Sequence, residues 1–389
     1  MFRICCVIML IALAGCKKSG NLVTYDDRLK LIDDNSIVVM NDDAEEQRKS
    51  EALVFKKDVL MANSQFPGGF GYPELLITQS GHWILSAVGH SVGLIDTDSA
   101  TIALASSYDL GETWTLDSTL QEKVGEINIS MPNMLDVGNN KRVLVFLAKN
   151  SSSDINLYVK ASDDGGETWQ PLININPLHD GYNVISNSKL IQLKSGRLLL
   201  PVAFAPEIYK YYNQTTMFCY YSDDYGLTWQ KSRVYGASVP LQEPCVTELS
   251  DGKLLMAIRS TAGGVLFSTS SDQGITWSDI SKSAINTPEA PETIVYSPTY
   301  NCLFMVWNNA TYDPAIFDKR NPLTLAVSFD NGKTWEKKID LENTTGYSYS
   351  YPSVKIAGKQ LIITYNKYNK SGALPRIALA KVDIEKLIK

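Results

Sequence analysis

Ser107-Tyr108-Asp109-Leu110-Gly111-Glu112-Thr113-Trp114 is the first of five copies of one pattern, Ser-x-Asp-x-Gly-x-Thr-Trp. The others run Ser162 to Trp169, Ser222 to Trp229, Ser270 to Trp277 and Ser328 to Trp335. Their aspartates, Asp109, Asp164, Asp224, Asp272 and Asp330, stand 55, 60, 48 and 58 residues apart. A recurrence near fifty residues marks a repeat architecture. Each copy follows an alternating apolar run, such as Thr101-Ile-Ala-Leu-Ala-Ser106 or Leu323-Thr-Leu-Ala-Val-Ser328, and so reads as a hairpin turn between two strands. Asp accepts from backbone amides inside the turn, Gly supplies the positive φ, and Trp packs on the sheet. Five of the seven Trp of the chain sit in these turns, which assigns Trp a structural role here.

Between the copies lies a second recurrence, a strand and its return strand joined at a Gly-containing turn. The first strands begin at Tyr72-Pro73-Glu74, Met131-Pro132-Asn133, about Ser188, Glu243-Pro244, Pro291-Glu292 and Tyr351-Pro352. Pro suits the start of a strand, where no ladder donor is needed. Six units of four strands give an all-β, six-bladed β-propeller. The sixth Ser-x-Asp turn is absent, and the last unit needs another strand. Ala52-Leu-Val-Phe-Lys56 is the expected closing segment; ring closure leaves only short protected edges.

Strand direction puts first-strand starts, second-strand ends and third-strand starts on one face, with the Asp turns on the other. A mouth of that kind is where ligand sites form. The residues at those positions are Glu74, Asn133, Glu243, Glu292 and Tyr351, then His90 and Arg259, then Arg320, with Asp96 and Asp98 in the loop after His90. Arginines with carboxylates and a Tyr around one mouth suit an anionic or polyhydroxylated ligand.

The Asp turn resembles the Asp-box of sialidases and related BNR-repeat propellers. Glu243-Pro244 followed by Asp251-Gly-Lys-Leu-Leu-Met-Ala-Ile-Arg259 is similar to the Glu and second Arg of sialidases. Arg320-Asn-Pro-Leu-Thr-Leu-Ala-Val-Ser328 resembles their third Arg, and Gly346-Tyr-Ser-Tyr-Ser-Tyr351-Pro-Ser the segment with the nucleophilic Tyr. The resemblance covers about residues 66 to 385. It implies Tyr351 as nucleophile (Tyr349 as the alternative), Glu243 as its base, and Asp96 as acid/base, with Asp98 second. Arg259, Arg320, His90, Glu74 and Glu292 would bind substrate. The implied activity is exo-glycoside hydrolysis releasing a terminal, acidic sugar from a glycan. Sialidases are the Tyr-nucleophile exception among glycosidases: a neutral phenol avoids the like-charge contact that a carboxylate would make with a sugar acid. The sequence departs from that pattern at Phe70-Gly71-Tyr72-Pro73, where Gly71 stands in place of the first Arg of the clamp, and at His90, where another Arg is usual. Two other classes stay open. One is a polysaccharide lyase using His90 or His179 with a Tyr on a uronate glycan. The other is a non-catalytic glycan-binding propeller.

The N-terminus reads as an export signal. Met1-Phe2-Arg3 precedes an apolar run from Ile4 to Ala14, and Leu13-Ala14-Gly15-Cys16 resembles a bacterial lipobox. Residues 1–15 are thus the expected lipoprotein signal peptide, with Cys16 lipidated. Residues 16–51 form a charged tether and 52–389 the propeller. The expected location is the bacterial cell envelope, with the membrane reached through a lipid on Cys16. Cys219, Cys245 and Cys302 lack metal-like spacing and sit in apolar runs, as buried free thiols do. A formal charge of −6 argues against nucleic acid as partner. No metal cluster or nucleotide loop is visible, no cofactor is expected, and the propeller is expected to be a monomer.

Overall fold

The computed structural model describes residues 39–40, 49, 51–93, 98–151, 153–207, 215–313, 319–370 and 374–389. Cys16, the leader, most of the tether and Asp96 lie outside the described residues.

The chain forms a six-bladed propeller whose blades are antiparallel sheets, and in blades one to five the antiparallel strands follow in chain order from the axis outwards. Blade one comprises Gly69–Ile77, Trp83–His90, Ala100–Ser107 and Thr115–Gln121. Blade two comprises Asn128–Gly138, Lys141–Lys149, Ile155–Ser162 and Ile173–Asn174. Blade four comprises Leu241–Glu248, Leu254–Ser260, Gly264–Ser270 and Ser281–Asn286. Blade five comprises Thr293–Ser297, Cys302–Asn308, Leu323–Ser328 and Trp335–Glu342, with Val39–Met40 added in parallel to its outer edge. In blade six, Tyr347–Ala357, Gln360–Asn369 and Arg376–Asp383 are completed by Leu53–Leu60 from the other end of the chain. That closure explains the missing sixth Asp turn: the third and fourth strands of blade six are not joined in sequence, so no turn between them exists.

The five Asp turns share one hydrogen-bond set. In the first, Ser107 donates to Asp109 at 2.8 Å, Gly111 N–H donates to the Ser107 hydroxyl at 2.8 Å, and the Thr113 amide and hydroxyl donate to Asp109 at 2.9 and 2.6 Å. The fifth repeats it with Ser328, Asp330, Gly332 and Thr334. These donors, the Thr hydroxyl first, hold Asp109 and Asp164 down to about 2. The Gly serves two purposes. Its φ is positive, +87° at Gly332, and its missing side chain lets the turn dock on the preceding blade. A Cβ at Gly332 would meet Leu255 at 2.7 Å, one at Gly274 would meet Leu199 at 2.9 Å, and one at Gly226 would meet Val143 at 2.9 Å. Each of those partners lies on the second strand of the blade before.

Blade three departs from the expected pattern. Its inner strand starts at Tyr182–Val184 rather than near Ser188, breaks, and resumes at Ile191–Gln192, both pieces pairing with Leu198–Ala205. The segment in the break closes the axis. Asn187 donates to the carbonyls of Pro73 (2.5 Å) and Tyr351 (3.2 Å), in blades one and six. Lys189 reaches Thr293 of blade five at 2.5 Å and the Pro352 carbonyl at 3.4 Å. Asn133 of blade two accepts from the amides of Lys189 and Leu190 at 2.5 and 2.9 Å. Below the mouth, Asn133, Asn187 and Lys189 thus form a hydrogen-bonded polar plug, as buried amides and ammonium groups require.

Candidate active site

The inner strands carry a bulge at matching positions. Their ladders shift register between Gly71 and Glu74, Ser130 and Asn133, Gln242 and Cys245, and Ser350 and Ser353. At each shift one residue has positive φ and precedes a Pro: Tyr72 (+54°), Met131 (+54°), Glu243 (+38°) and Tyr351 (+54°). A bulge inserts one residue and re-aims its side chain, and Pro at the unpaired position leaves no orphan N–H. Positive φ at non-Gly residues is strained and collects at functional sites.

Two of these bulge residues meet. The Tyr351 hydroxyl donates to Glu243 Oε1 at 3.1 Å, although 108 residues separate them. Arg259, near the end of the second strand of blade four, donates to the other oxygen, Glu243 Oε2. Both carboxylate oxygens are thus engaged, one by the phenol and one by the guanidinium. Arg259 also faces Glu289 Oε1 at 3.5 Å. Arg320 lies over the Tyr351 ring, 5.5 Å from its centroid, and donates to the Glu289 carbonyl at 3.4 Å. Tyr72 packs edge-on against Tyr351 with ring centroids 4.7 Å apart, and His90 follows at 6.4 Å from Tyr72. Tyr351, Glu243, Arg259 and Arg320 therefore form one cluster, which His90 adjoins through Tyr72.

The other candidates lie elsewhere. Asp98 anchors its loop: it accepts from Ser91 at 2.7 Å and from the amides of Val92 and Gly93 at 2.8 and 2.9 Å, with His90 Nδ1 at 3.8 Å. Burial pushes its pKa up, but those donors win and hold it below the usual carboxylate range. An aspartate so stabilised as an anion is a poor proton donor. Glu74 sits two residues past its bulge and pairs with Lys355 at 2.9 Å, and Lys355 lines a pocket of about 420 Å³ with Ile77 and Gly138, at the far ends of the inner strands. Glu74 is thus a buried structural ion pair, not part of the cluster. Asn133 serves the plug. Glu292 is fully buried, both its oxygens lack a hydrogen-bond partner among the described residues, and burial lifts its pKa to about 8 against the pull of Lys189. Its burial beneath the mouth favours the neutral acid. Tyr349 is 0% exposed and packs on Tyr365 and Tyr347, which leaves Tyr351 as the phenol of the site. His179 lies against Phe204 and Phe218 in blade three, with ring centroids at 4.0 and 4.9 Å. Glu289 was not singled out from sequence; it lies between blades, where no strand pattern points to it.

The BNR repeat-like domain family matches residues 140–363. The chain belongs to that family. Among curated proteins, it is 27% identical over 211 residues to a sialidase of Vibrio cholerae; the match covers 46% of this chain and about a quarter (26%) of that protein. Among solved structures, it superposes with a TM-score of 0.68 on a protein of unknown function from Dyadobacter fermentans, at 17% identity, covering 85% of this chain and 98% of that one. The Trypanosoma rangeli sialidase gives 0.67 at 17% identity, covering 85% and 58%. The intramolecular trans-sialidase of Ruminococcus gnavus gives 0.67 at 16%, covering 87% and 98%. The fold is thus the sialidase-type six-bladed propeller of the BNR family.

Proposed function

We propose that the chain is an exo-acting glycoside hydrolase with Tyr351 as nucleophile. The observation that carries this reading is the 3.1 Å hydrogen bond from Tyr351 to Glu243 inside a mouth flanked by Arg259 and Arg320. That distance is within reach of direct proton transfer. In the first half-reaction the Tyr351 oxygen bonds to the anomeric carbon as the glycosidic C–O bond breaks. The phenol proton passes to Glu243, and the leaving oxygen takes a proton from Asp96. In the second, water attacks the same carbon and gives its proton to Asp96. The Tyr351 oxygen leaves and recovers its proton from Glu243. Two displacements retain anomeric configuration. Arg259, held against Glu243, balances the charge that the base sheds and regains. Asp98 is pinned in its loop and its pKa is depressed, which supports Asp96 for the acid role.

The family resemblance supports glycans as the substrate class. Gly71 and His90 in place of two arginines support a substrate other than ordinary sialosides. The packing of His179 between two Phe rings of blade three argues against the lyase reading that uses it. We also propose cleavage before Cys16 and lipidation there, placing the enzyme on a bacterial envelope membrane; Cys16→Ser should then release the protein from the membrane fraction.

The test is a screen of purified protein against sialosides, uronate glycans and neutral glycans, with Tyr351→Phe beside it. The expected result is release of one terminal sugar by the wild type, with turnover cut by roughly 10³-fold or more in Tyr351→Phe and binding little changed. A product that absorbs in the ultraviolet would indicate a lyase instead. Binding without turnover would indicate a glycan-binding propeller.

A further inference from the structure

Glu289 has no counterpart in the residues read from sequence, yet it touches both arginines of the mouth. It lies in Thr287-Pro288-Glu289-Ala290-Pro291, between the outer strand of blade four and the inner strand of blade five. Ala290 N–H donates to the Pro288 carbonyl at 2.7 Å, which makes Glu289 the central residue of a three-residue turn. Pro288 opens that turn and Pro291 follows it, and Thr287, wholly buried, donates its hydroxyl to the Pro288 carbonyl at 3.1 Å. The backbone at Glu289 is thus fixed before any ligand arrives.

From this fixed point the residue acts twice. Its carbonyl accepts from Arg320 at 3.4 Å, and its carboxylate faces Arg259 at 3.5 Å, with the Glu289 side chain only 15% exposed. Arg259 therefore meets two carboxylates, Glu243 and Glu289, before substrate. A sugar acid delivered to that guanidinium would meet the Glu289 anion at close range and bring a third negative charge to one cation. Arg320 is placed differently: the only hydrogen bond of its guanidinium among the described residues goes to a neutral backbone carbonyl, and its Nε makes none.

Resting on the glycosidase reading above, we propose that Glu289 is the specificity-determining residue of this mouth. It sets an internal carboxylate on Arg259 in the place a sugar acid would take. The enzyme thereby selects a terminal sugar that brings no carboxylate to that point, while its hydroxyls find an acceptor in Glu289 and a donor in Arg320.

The test is calorimetric titration of the full chain with N-acetylneuraminic acid and, separately, with its methyl ester, which replaces the anionic carboxylate by a neutral ester one methyl larger. The wild type should bind the ester at least as tightly as the acid. Glu289→Gln keeps the turn and the carbonyl but removes the charge, and should reverse the order, binding the acid about ten- to a hundredfold tighter than wild type does. Glu289→Asp keeps the charge and should keep the wild-type order, which separates charge from simple disruption of the turn. A wild type that prefers the acid, or a Glu289→Gln protein that gains no affinity for it, overturns the proposal. Failure of the glycosidase reading shows separately, as full turnover in Tyr351→Phe, because the acid-to-ester ratio needs binding alone.

Discussion

The two faces of the propeller use the same local device to opposite ends. On one face, the Asp turns place two successive residues at positive φ, such as Asn331 (+63°) and Gly332 (+87°), in five nearly identical sequences. On the other, the inner-strand bulges repeat a positive φ before Pro, yet the residue there changes from Tyr72 to Met131 to Glu243 to Tyr351. Where the turn's task is to dock on the preceding blade, the side chains are constrained alike at every copy. Where the backbone only presents a side chain, that side chain is open to carry chemistry. The contrast predicts that substitutions on the turn face act on stability, and substitutions on the bulge face act on turnover.

The largest effect is expected at Glu243. Glu243→Gln keeps the shape and the hydrogen bond from Tyr351 but cannot take its proton. Turnover should fall by about 10²- to 10⁴-fold, with the denaturation midpoint near that of wild type. A comparable loss of stability would mean that the Arg259–Glu243 pair is a structural strut, and the contrast between faces would fail.

Gly332→Ala should do the reverse. The positive φ and the clash with Leu255 together should cost about 3 kcal/mol in a urea titration, with kcat unchanged in the fraction that stays folded. Gly346 offers a sharper internal control, since its φ is +83° but no atom lies within 4 Å of a Cβ placed there. Gly346→Ala should cost only about 1 kcal/mol. Equal losses at the two glycines would show that docking on the preceding blade contributes nothing.

The pH dependence of stability tests whether the contrast has an exception. Glu292 lies on the mouth side of the plug but is buried beside Lys189, Arg259 and Glu243. Its folded pKa of about 8 lies above the ordinary 4.5, so the neutral acid contributes stability that is complete below pH 4.5 and fades as pH rises through about 8. Glu292→Gln mimics the neutral form. It should match wild type in melting temperature at pH 4.5 and exceed it at pH 9. No difference at pH 9 would mean that Glu292 ionises without cost.

Much of this molecule was legible because its determinants are local. The Asp turns declare themselves by side chains that bond within eight residues, and the X-Pro steps mark inner strands by the missing N–H. Glu243, Arg259, Arg320 and Tyr351 were found by following strand direction from those marks. What escaped depends on contacts between blades or on backbone detail. The break in blade three follows from Asn187 and Lys189 bonding to four other blades. Glu74 reads as a mouth residue because it stands near a first-strand start; the bulge between Gly71 and Glu74 instead turns it to Lys355. Glu289 sits in a turn whose direction is set by two prolines and a single 2.7 Å bond, with no periodic pattern around it.

The direct test of the nucleophile is peptide mapping after reaction with a fluorinated, activated donor of the sugar found in the screen, under conditions where the covalent intermediate accumulates. The expected result is one adduct on the peptide containing Tyr351, absent from Tyr351→Phe and slow to form in Glu243→Gln. An adduct on a carboxylate such as Glu243, or one that persists in Tyr351→Phe, would contradict Tyr351 as the nucleophile.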